Sequence, residues 1–538
     1  MISTMMQSPL LLDGILEHAG TQYPDTEIVS SMPDKSLHRH TYADFYRRSK
    51  QLAQALAGAG LQREQRVATL MWNHYAHLEA YFGIPGAGGV LHTLNLRLPP
   101  DDIAWIANHA EDRFLIVDDV LLPLYEKFAD QVNFERVFVV SLTDAKIPDG
   151  MESYEAFIGA QSGDFACPVQ DENDGCGMCY TSGTTGNPKG VVYSHRSSVL
   201  HALASALPNA MSLSHRDCTL PVVPMFHANA WGLPYGATMC GAKQVLPGPH
   251  LDAESLLNLC EQEQATLAAG VPTIWMGIIE ALEAEPTRWQ LQPMRMVVGG
   301  SAVPESMIRR FDPFDLTIVQ AWGLTESSPL ASTCTLKPAL DSADQDSRYA
   351  RRATAGFTAP FVGLRIVDDD GRPLPWNGED MGEIQLCGPW ITGAYYNLDA
   401  AADKFTDGWF CTGDIATVDA QGYVNITDRS KDVIKSGGEW ISSVHLENEI
   451  MAHKEVLEAA VIAHPHPKWG ERPLACVVRK PGTSVSADDI ISFLHSRMEK
   501  WMLPEAVVFI DEVPRTSTGK FHKLTLRKQF EDWNWEAA

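Results

Sequence analysis

Tyr180-Thr-Ser-Gly-Thr-Thr-Gly-Asn-Pro-Lys-Gly190 is the stretch on which the reading of this chain turns. It gathers four serine and threonine hydroxyls, three glycines and one lysine into a single loop. Glycine lets backbone N–H groups turn toward a ligand, hydroxyls donate hydrogen bonds and lysine adds positive charge, which together suit the cradling of phosphates. A nucleoside triphosphate is the natural guest. The loop is not a Walker A sequence, because Gly186 is followed by Asn187 and Pro188 before Lys189 and no G-x-x-x-x-G-K-[ST] can be laid on it. Composition alone suits a serine- and glycine-rich surface turn as well.

Working outward, residues 41–60 set Tyr42, Phe45, Leu52 and Leu56 at helical spacing and end in Gly58 and Gly60, predicting an amphipathic helix with a glycine stop. A strand over 66–71 and short apolar runs at 114–117 and 137–140, separated by helical segments, give the rhythm of an α/β sheet. Residues 219–242 are uncharged apart from a histidine, but Pro221, Pro224 and Pro234 interrupt them; this predicts a buried strand and loop, not a membrane span. From Gly363 the texture changes to short strands with turn signals, at 364–367, Asp370-Gly371 and 383–386. A charged, glycine-bearing run, Asp428-Arg-Ser-Lys-Asp-Val-Ile-Lys-Ser-Gly-Gly438, then precedes a helix-strand-strand-helix-strand pattern at 442–451, 456–463, 474–478, 487–498 and 506–510. The expected fold is α/β, with a large multi-subdomain N-terminal region over 1–428 and a β-rich subdomain near 345–428. A hinge at 429–431 and a small α+β C-terminal domain over 432–538 complete it.

With 42 Lys and Arg against 68 Asp and Glu, the formal charge is −26. That field opposes non-specific binding to nucleic acid or anionic lipid, so a polyanion must be held by a local site. An apolar content of 45% with 20% charged residues excludes a disordered chain. At roughly 150 residues per domain the length implies two to four domains. The ten cysteines are scattered, and Met1-Ile-Ser-Thr-Met-Met lacks the basic start of a secretory signal, so a reducing cytoplasm is expected. Cys176 and Cys179 form a C-x-x-C without a following helix pattern or a second pair, and are expected in the core.

Taken with the rest of the chain, the loop resembles the signature loop of the adenylate-forming superfamily, which includes acyl-CoA synthetases, adenylation domains of peptide synthetases and luciferases. The resemblance continues in order through Pro224-Met-Phe-His-Ala-Asn-Ala-Trp-Gly232, Gly299-Gly-Ser301, Gln320-Ala-Trp-Gly-Leu-Thr-Glu326, Trp409-Phe-Cys-Thr-Gly-Asp414, Asp428-Arg-Ser-Lys-Asp432, Ser436-Gly-Gly-Glu-Trp440 and Pro514-Arg-Thr-Ser-Thr-Gly-Lys520. The 226–231 and 436–440 segments are most similar to those of medium- and long-chain fatty acyl-CoA ligases.

The resemblance implies an ATP-dependent, AMP-forming acid–thiol ligase, in which a carboxylate attacks the α-phosphorus of ATP, pyrophosphate leaves, and coenzyme A then takes the acyl group. Thr181, Ser182, Gly183, Thr184, Thr185 and Lys189 would hold the leaving phosphates. Thr184 and Glu326 would position Mg²⁺, a hard ion suited to such oxygens. Gly300, Ser301, Gln320, Ala321, Trp322, Gly323 and Thr325, with Gly299 beside them, would form the nucleotide slot, Trp322 stacking where relatives often carry tyrosine. Losing the tyrosine phenol puts any hydrogen bond made there in doubt. Asp414 would accept the ribose hydroxyls, with Arg429 nearby. Lys520 would stabilise charge between the carboxylate and the α-phosphate. His227 would lie near the substrate carboxylate and Trp231 would gate an acyl channel, with Ala228, Gly232 and Gly299 small enough to leave room for it. After a rotation of the small domain about Lys431, the segment Lys435, Ser436, Gly437, Gly438, Glu439 and Trp440 would line a pantetheine tunnel.

Each residue alone has an ordinary reading: Glu326 and Asp414 as surface carboxylates, Lys520 as a solubility lysine, His227 as a core histidine and 436–438 as a plain turn. Residues 224–232 hold no arginine or aspartate to select an ammonium or a second carboxylate, so an apolar monocarboxylic acid is expected. A hydrophobic pocket distinguishes only about 1–3 kcal/mol per methylene, so chain-length selectivity should be broad. A CoA ligase for a short sulfur-containing acid such as methylmercaptopropionate, or for an aryl acid, stays open. An adenylation enzyme loading a carrier protein is weakened by the lack of a carrier domain after Lys520, and an inert binding protein by the presence of Lys189, Glu326, Asp414 and Lys520. The expected partner is a small carboxylic acid, with neither nucleic acid nor an integral membrane segment; a homodimer through the N-terminal domain stays open.

Overall fold

The structure is a computed structural model that describes residues 3–535 apart from 169, 182–186, 399–403, 430, 438 and 516–520; of Glu439 only the backbone is described. Among these residues a nine-stranded sheet runs in the order Phe357–Thr358, Leu330–Thr333, Leu316–Gly323, Met294–Val298, Leu267–Gly270, Cys218–Pro221, Lys243–Leu246, Glu27–Ser31 and Leu37–Thr41. The strands from Leu316–Gly323 to Glu27–Ser31 are all parallel. A seven-stranded sheet runs Glu152–Ser153, Arg136–Val140, Asp112–Asp118, Arg66–Leu70, Val90–Thr93, Gly175–Tyr180 and Gly190–Ser194. It is parallel up to its last pair, the antiparallel hairpin that carries the phosphate-cradling loop at its tip.

One core joins the two sheets, bringing Val67, Leu91 and Phe114 of the seven-stranded sheet into a cluster with Leu246, Leu267 and Val297 of the nine-stranded sheet. The helix Tyr42–Gly58 lies there and buries Tyr42, Phe45, Leu52 and Leu56, the face its periodicity predicts. Thr41 starts it, its hydroxyl accepting from Asp44 N while Asp44 Oδ2 accepts from Thr41 N, so two otherwise orphaned donors are satisfied. Beside it the helix Tyr75–Gly86 is buried on every face, as expected of a helix with little polar surface. Its one carboxylate, Glu79, is held by Arg48 Nε at 2.6 Å and Tyr154 Oη at 2.7 Å. Cys176 and Cys179 are free and buried in the strand Gly175–Tyr180.

The structure differs from the sequence reading in three places. Residues 219–242 are not strand and loop throughout, because Leu233–Cys240 is a helix. Pro234 sits in its first turn, where a missing N–H breaks no helical bond. The helix expected over 487–498 stops at Leu494, and the helix Lys523–Gln529 has no counterpart in the sequence reading.

An antiparallel sheet of Gly363–Val367, Gly382–Cys387, Trp409–Val418, Phe405–Thr406 and Val424–Arg429 follows. A second small sheet of Glu439–Ile441, Ile434–Ser436, Gly470–Arg479, Val456–His466 and Ala506–Phe509, with the helices Ser443–Met451 and Ala487–Leu494, ends the chain. No helix among the described residues is long and apolar enough to cross a membrane.

Three histidines are built into the core in their neutral form: burial pushes His77 and His201 down to about 3 and His195 to about 4. Their rings are engaged, His201 Nε2 accepting from Leu330 N and His195 Nδ1 from Leu12 N. Because these folded values lie below the unfolded one, the unfolded chain binds more protons below pH 6.5, so stability is full above that pH and falls as pH drops. Thermal or urea unfolding should show stability falling as pH drops from 7 to 5; a flat profile would contradict this.

Candidate active site

The carboxyl ends of the parallel strands open onto one cleft of about 1630 Å³, the position at which open α/β sheets bind ligands. Val222 and Val223 follow Cys218–Pro221, Val271 and Pro272 follow Leu267–Gly270, and Gly299, Gly300 and Ser301 follow Met294–Val298. Gln320 to Glu326 come from the strand Leu316–Gly323 and the turn after it, Thr181 and Lys189 from the hairpin, and Asp414 and Arg429 from the antiparallel sheet. The topology thus gathers segments far apart in sequence around one space.

Asp414 and Arg429 face each other across paired strands, and Arg429 Nε lies 2.6 Å from Asp414 Oδ1. The second oxygen, Oδ2, accepts from Trp322 Nε1 at 2.9 Å. The indole N–H therefore supplies a hydrogen bond at the position where loss of a phenol put one in doubt. A carboxylate has about four lone-pair sites, so this buried group retains capacity for a ligand's hydroxyls.

Glu326 stands in the short turn Thr325–Ser327. Tyr395 Oη donates to Glu326 Oε1 at 2.6 Å, and the same ring faces Lys189 Nζ at 4.9 Å from its centroid. Tyr395 thus links the carboxylate to the cation, and the sequence reading missed it: nothing in spacing or composition ties it to a residue 69 positions earlier. Gly323 permits the turn, since a Cβ there would lie 1.7 Å from Pro329 O. Gln320 lines the cleft, but its side chain is committed to backbone, accepting from Val303 N and donating to Ala353 O.

His227 lines the cleft just before Ala228, Asn229, Ala230 and Trp231, four consecutive residues with positive φ. Such a left-handed run costs roughly 1–2 kcal/mol per residue and is held only where surroundings over-determine it. Here Asn229 Oδ1 accepts from Cys179 Sγ. The turn aims Trp231 at Gly299, where an added Cβ would lie 3.2 Å from the indole. Gly232, expected beside the acyl space, instead packs against the His201 ring and is not among the lining residues.

The profile of the AMP-binding enzyme family matches residues 16–396, and that of the AMP-binding enzyme C-terminal domain matches 445–520. The chain belongs to this family. A long-chain-fatty-acid–CoA ligase of Thermus thermophilus is 49% identical over 534 residues, covering 99% of this chain and 97% of the relative. A 3-methylmercaptopropionyl-CoA ligase of Ruegeria pomeroyi is 43% identical over 538 residues, covering 99% of both. Among solved structures, an anthranilate CoA ligase, AuaEII, in complex with anthranoyl-AMP superposes with a TM-score of 0.87 at 25% identity, covering 97% of this chain and 98% of that one.

In this AMP-binding enzyme the C-terminal candidates divide. Lys431 and Trp440 line the cleft, whereas Lys435, Ser436 and Gly437 do not. Lys435 Nζ lies 5.1 Å from the Trp440 ring centroid, directly across the hairpin, and Ser436 Oγ accepts from Arg472. Gly437, at φ +63°, faces Trp469. Ser182, Gly183, Thr184, Thr185, Ser430, Gly438, Lys520 and the Glu439 side chain lie outside the described residues. The Trp322→Phe protein keeps the ring but loses one of the two donors to Asp414, and its affinity for AMP, measured by calorimetry, should fall about five- to tenfold with an unchanged melting temperature. An unaltered affinity would separate the Asp414 cluster from the nucleotide.

Proposed function

We propose that this AMP-binding enzyme is an ATP-dependent acid–CoA ligase for apolar monocarboxylic acids, with medium- and long-chain fatty acids as its substrate class. One observation carries the reading. The Asp414–Arg429–Trp322 cluster and the Glu326–Tyr395–Lys189 cluster share a single cleft with an apolar wall of Met211, Val222, Val223, Ile274 and Met307. Polar groups suited to a nucleotide and apolar side chains suited to a hydrocarbon chain line the same cleft. The Thermus thermophilus relative, named for long-chain fatty acids, agrees with that wall. The Ruegeria pomeroyi relative favours a short sulfur-containing acid as the second reading.

In the first step the substrate carboxylate, placed near His227, attacks the α-phosphorus of ATP; the bond to the β-phosphate breaks and pyrophosphate leaves. Asp414 orients the ribose, the 181–189 loop and Lys189 hold the departing phosphates, and Lys520 answers charge developing at the α-phosphate. In the second step the thiol sulfur of coenzyme A attacks the acyl carbon, its proton is lost and AMP departs. Among the described residues no cluster of three carboxylate, histidine or cysteine side chains could cage a metal. Mg²⁺ commonly takes one or two carboxylates with substrate phosphates, and Glu326 with Thr184 fits that donor pattern. Bound there, the ion would neutralise phosphate charge. Between the steps the unit over 432–538 turns about 429–431, bringing 435–440 to the thiol path.

The test is release of AMP and pyrophosphate, with ATP and coenzyme A, across acids of increasing chain length plus methylthio and aryl acids. Turnover with apolar monocarboxylates supports the reading, and activity with a carrier protein but none with coenzyme A would overturn it. Lys520→Ala should abolish pyrophosphate release while leaving thiolysis of a supplied acyl adenylate largely intact. Equal losses in both half-reactions would contradict the division of labour.

A further inference from the structure

Four arginines line the cleft, and three are already committed to carboxylates: Arg429 to Asp414, Arg515 to Glu458 and Arg527 to Asp432. The fourth, Arg97, has no carboxylate partner among the described residues. Its guanidinium lies 5.8 Å from the centroid of the Phe226 ring, and its backbone N–H donates to Asn95 Oδ1. Partial desolvation by the surrounding protein lowers its pKa. Arg97 is exposed at the cleft wall, so its guanidinium can meet an anion that enters the cleft.

Its place in the fold says what kind of ligand. Val90–Thr93 and Gly175–Tyr180 are adjacent parallel strands, with Leu91 beside Gly177 and His92 beside Met178. The loops that leave their carboxyl ends therefore start side by side. One is the phosphate-cradling loop, beginning at Thr181; the other carries Arg97. Thr93 ties them together, its hydroxyl 3.5 Å from Cys179 Sγ and donating to Phe226 O at 3.4 Å, which sets Arg97 next to the segment bearing His227.

Resting on the ligase reading above, we infer that Arg97 is an anion-binding residue of the cleft that takes phosphate oxygens from one of the two phosphate-bearing reactants, the β,γ-diphosphate of ATP or the diphosphate of coenzyme A. Guanidinium matches such oxygens bidentately, and charge-assisted bonds of this kind are among the strong ones.

Arg97→Gln and Arg97→Lys test this in the full chain, with melting temperatures as the folding control. Acid-dependent exchange of pyrophosphate into ATP, run without coenzyme A, reports the KM values for ATP and pyrophosphate; acyl-CoA formation reports the KM for coenzyme A. Arg97→Gln should raise one of these about tenfold or more while the acid's KM stays within about twofold, and Arg97→Lys should recover part of the loss. A rise confined to exchange assigns the contact to the ATP diphosphate, and a rise confined to coenzyme A assigns it there. Unchanged values throughout, or a change in the acid's KM alone, would overturn the inference. Calorimetric titration of inorganic pyrophosphate and of coenzyme A into both proteins reads the same contact without turnover. If no acid is activated by the wild-type protein the ligase reading falls, and the titrations still decide Arg97: equal binding by wild type and Arg97→Gln overturns it.

Discussion

A protein with a formal charge of −26 that handles polyanions has to keep its useful cations from being neutralised by its own carboxylates, and the cleft is arranged around that constraint. Lys189 faces an aromatic ring in place of an acid, with Tyr395 between it and Glu326. A ring face attracts the ammonium by its quadrupole but carries no net charge to cancel it. Arg429 is paired, but to a carboxylate that also binds an indole N–H, so the cluster orients more than it attracts. Arg527 and Lys523 are spent on structure, against Asp432 and Glu447. What positive potential the cleft offers is therefore local and short in range, and at about 8 Å physiological screening leaves only contacts within the site effective.

That arrangement depends on the sheets. Parallel strands deliver successive loops to one edge, and here two such sheets share a core, so the edge of one lies within reach of the other. The helix Tyr75–Gly86, buried on all faces, is what a shared core of this kind requires. The paired Glu79 is tolerated inside it because Arg48 and Tyr154 both reach it; an unpaired carboxylate at that depth would be expelled or protonated.

Much of the architecture was legible because the relevant signals are local. The helix Tyr42–Gly58 was marked by its period and its glycines, the hairpin loop by its composition, and Asp414 and Glu326 by motif. What escaped the sequence depends on long-range contact. Tyr395 acts through Glu326 and Lys189, and no local pattern distinguishes it from the adjacent Tyr396. Gly232 is small, but smallness serves either a ligand or a neighbour, and His201 claims it. Gln320 sits in a motif, yet its amide closes backbone groups of two other segments. Pro234 reads as a breaker after Pro221 and Pro224, whereas it sits in the first turn of a helix, where its missing N–H breaks no bond. Arg97 gave no motif at all; only the pairing of its three counterparts makes it conspicuous.

The junction at 429–431 carries a cost that its sequence conceals. Asp428, on the strand Val424–Arg429, accepts from Ser443 N at 2.7 Å and from Ser443 Oγ, while Ser442 Oγ donates to Thr427 O. Lys523, buried, donates to Ser443 Oγ and lies 2.7 Å from Glu447, whose carboxyl burial pushes up to about 7. A rotation about 429–431 that left Asp428 with its own strand would break the two Asp428–Ser443 bonds and leave this buried carboxylate with the Arg429 N–H as its remaining donor among the described residues. Such groups are expensive to leave unsatisfied. A second orientation of the C-terminal unit is therefore accessible only if it supplies new donors to Asp428, or if Thr427 and Asp428 remain with Ser442 and Ser443 and the bend falls on the residues after them. Any second orientation would therefore have to offset this hydrogen-bonded seam, since a ligand shifts such an equilibrium only by the difference in its affinity for the two states.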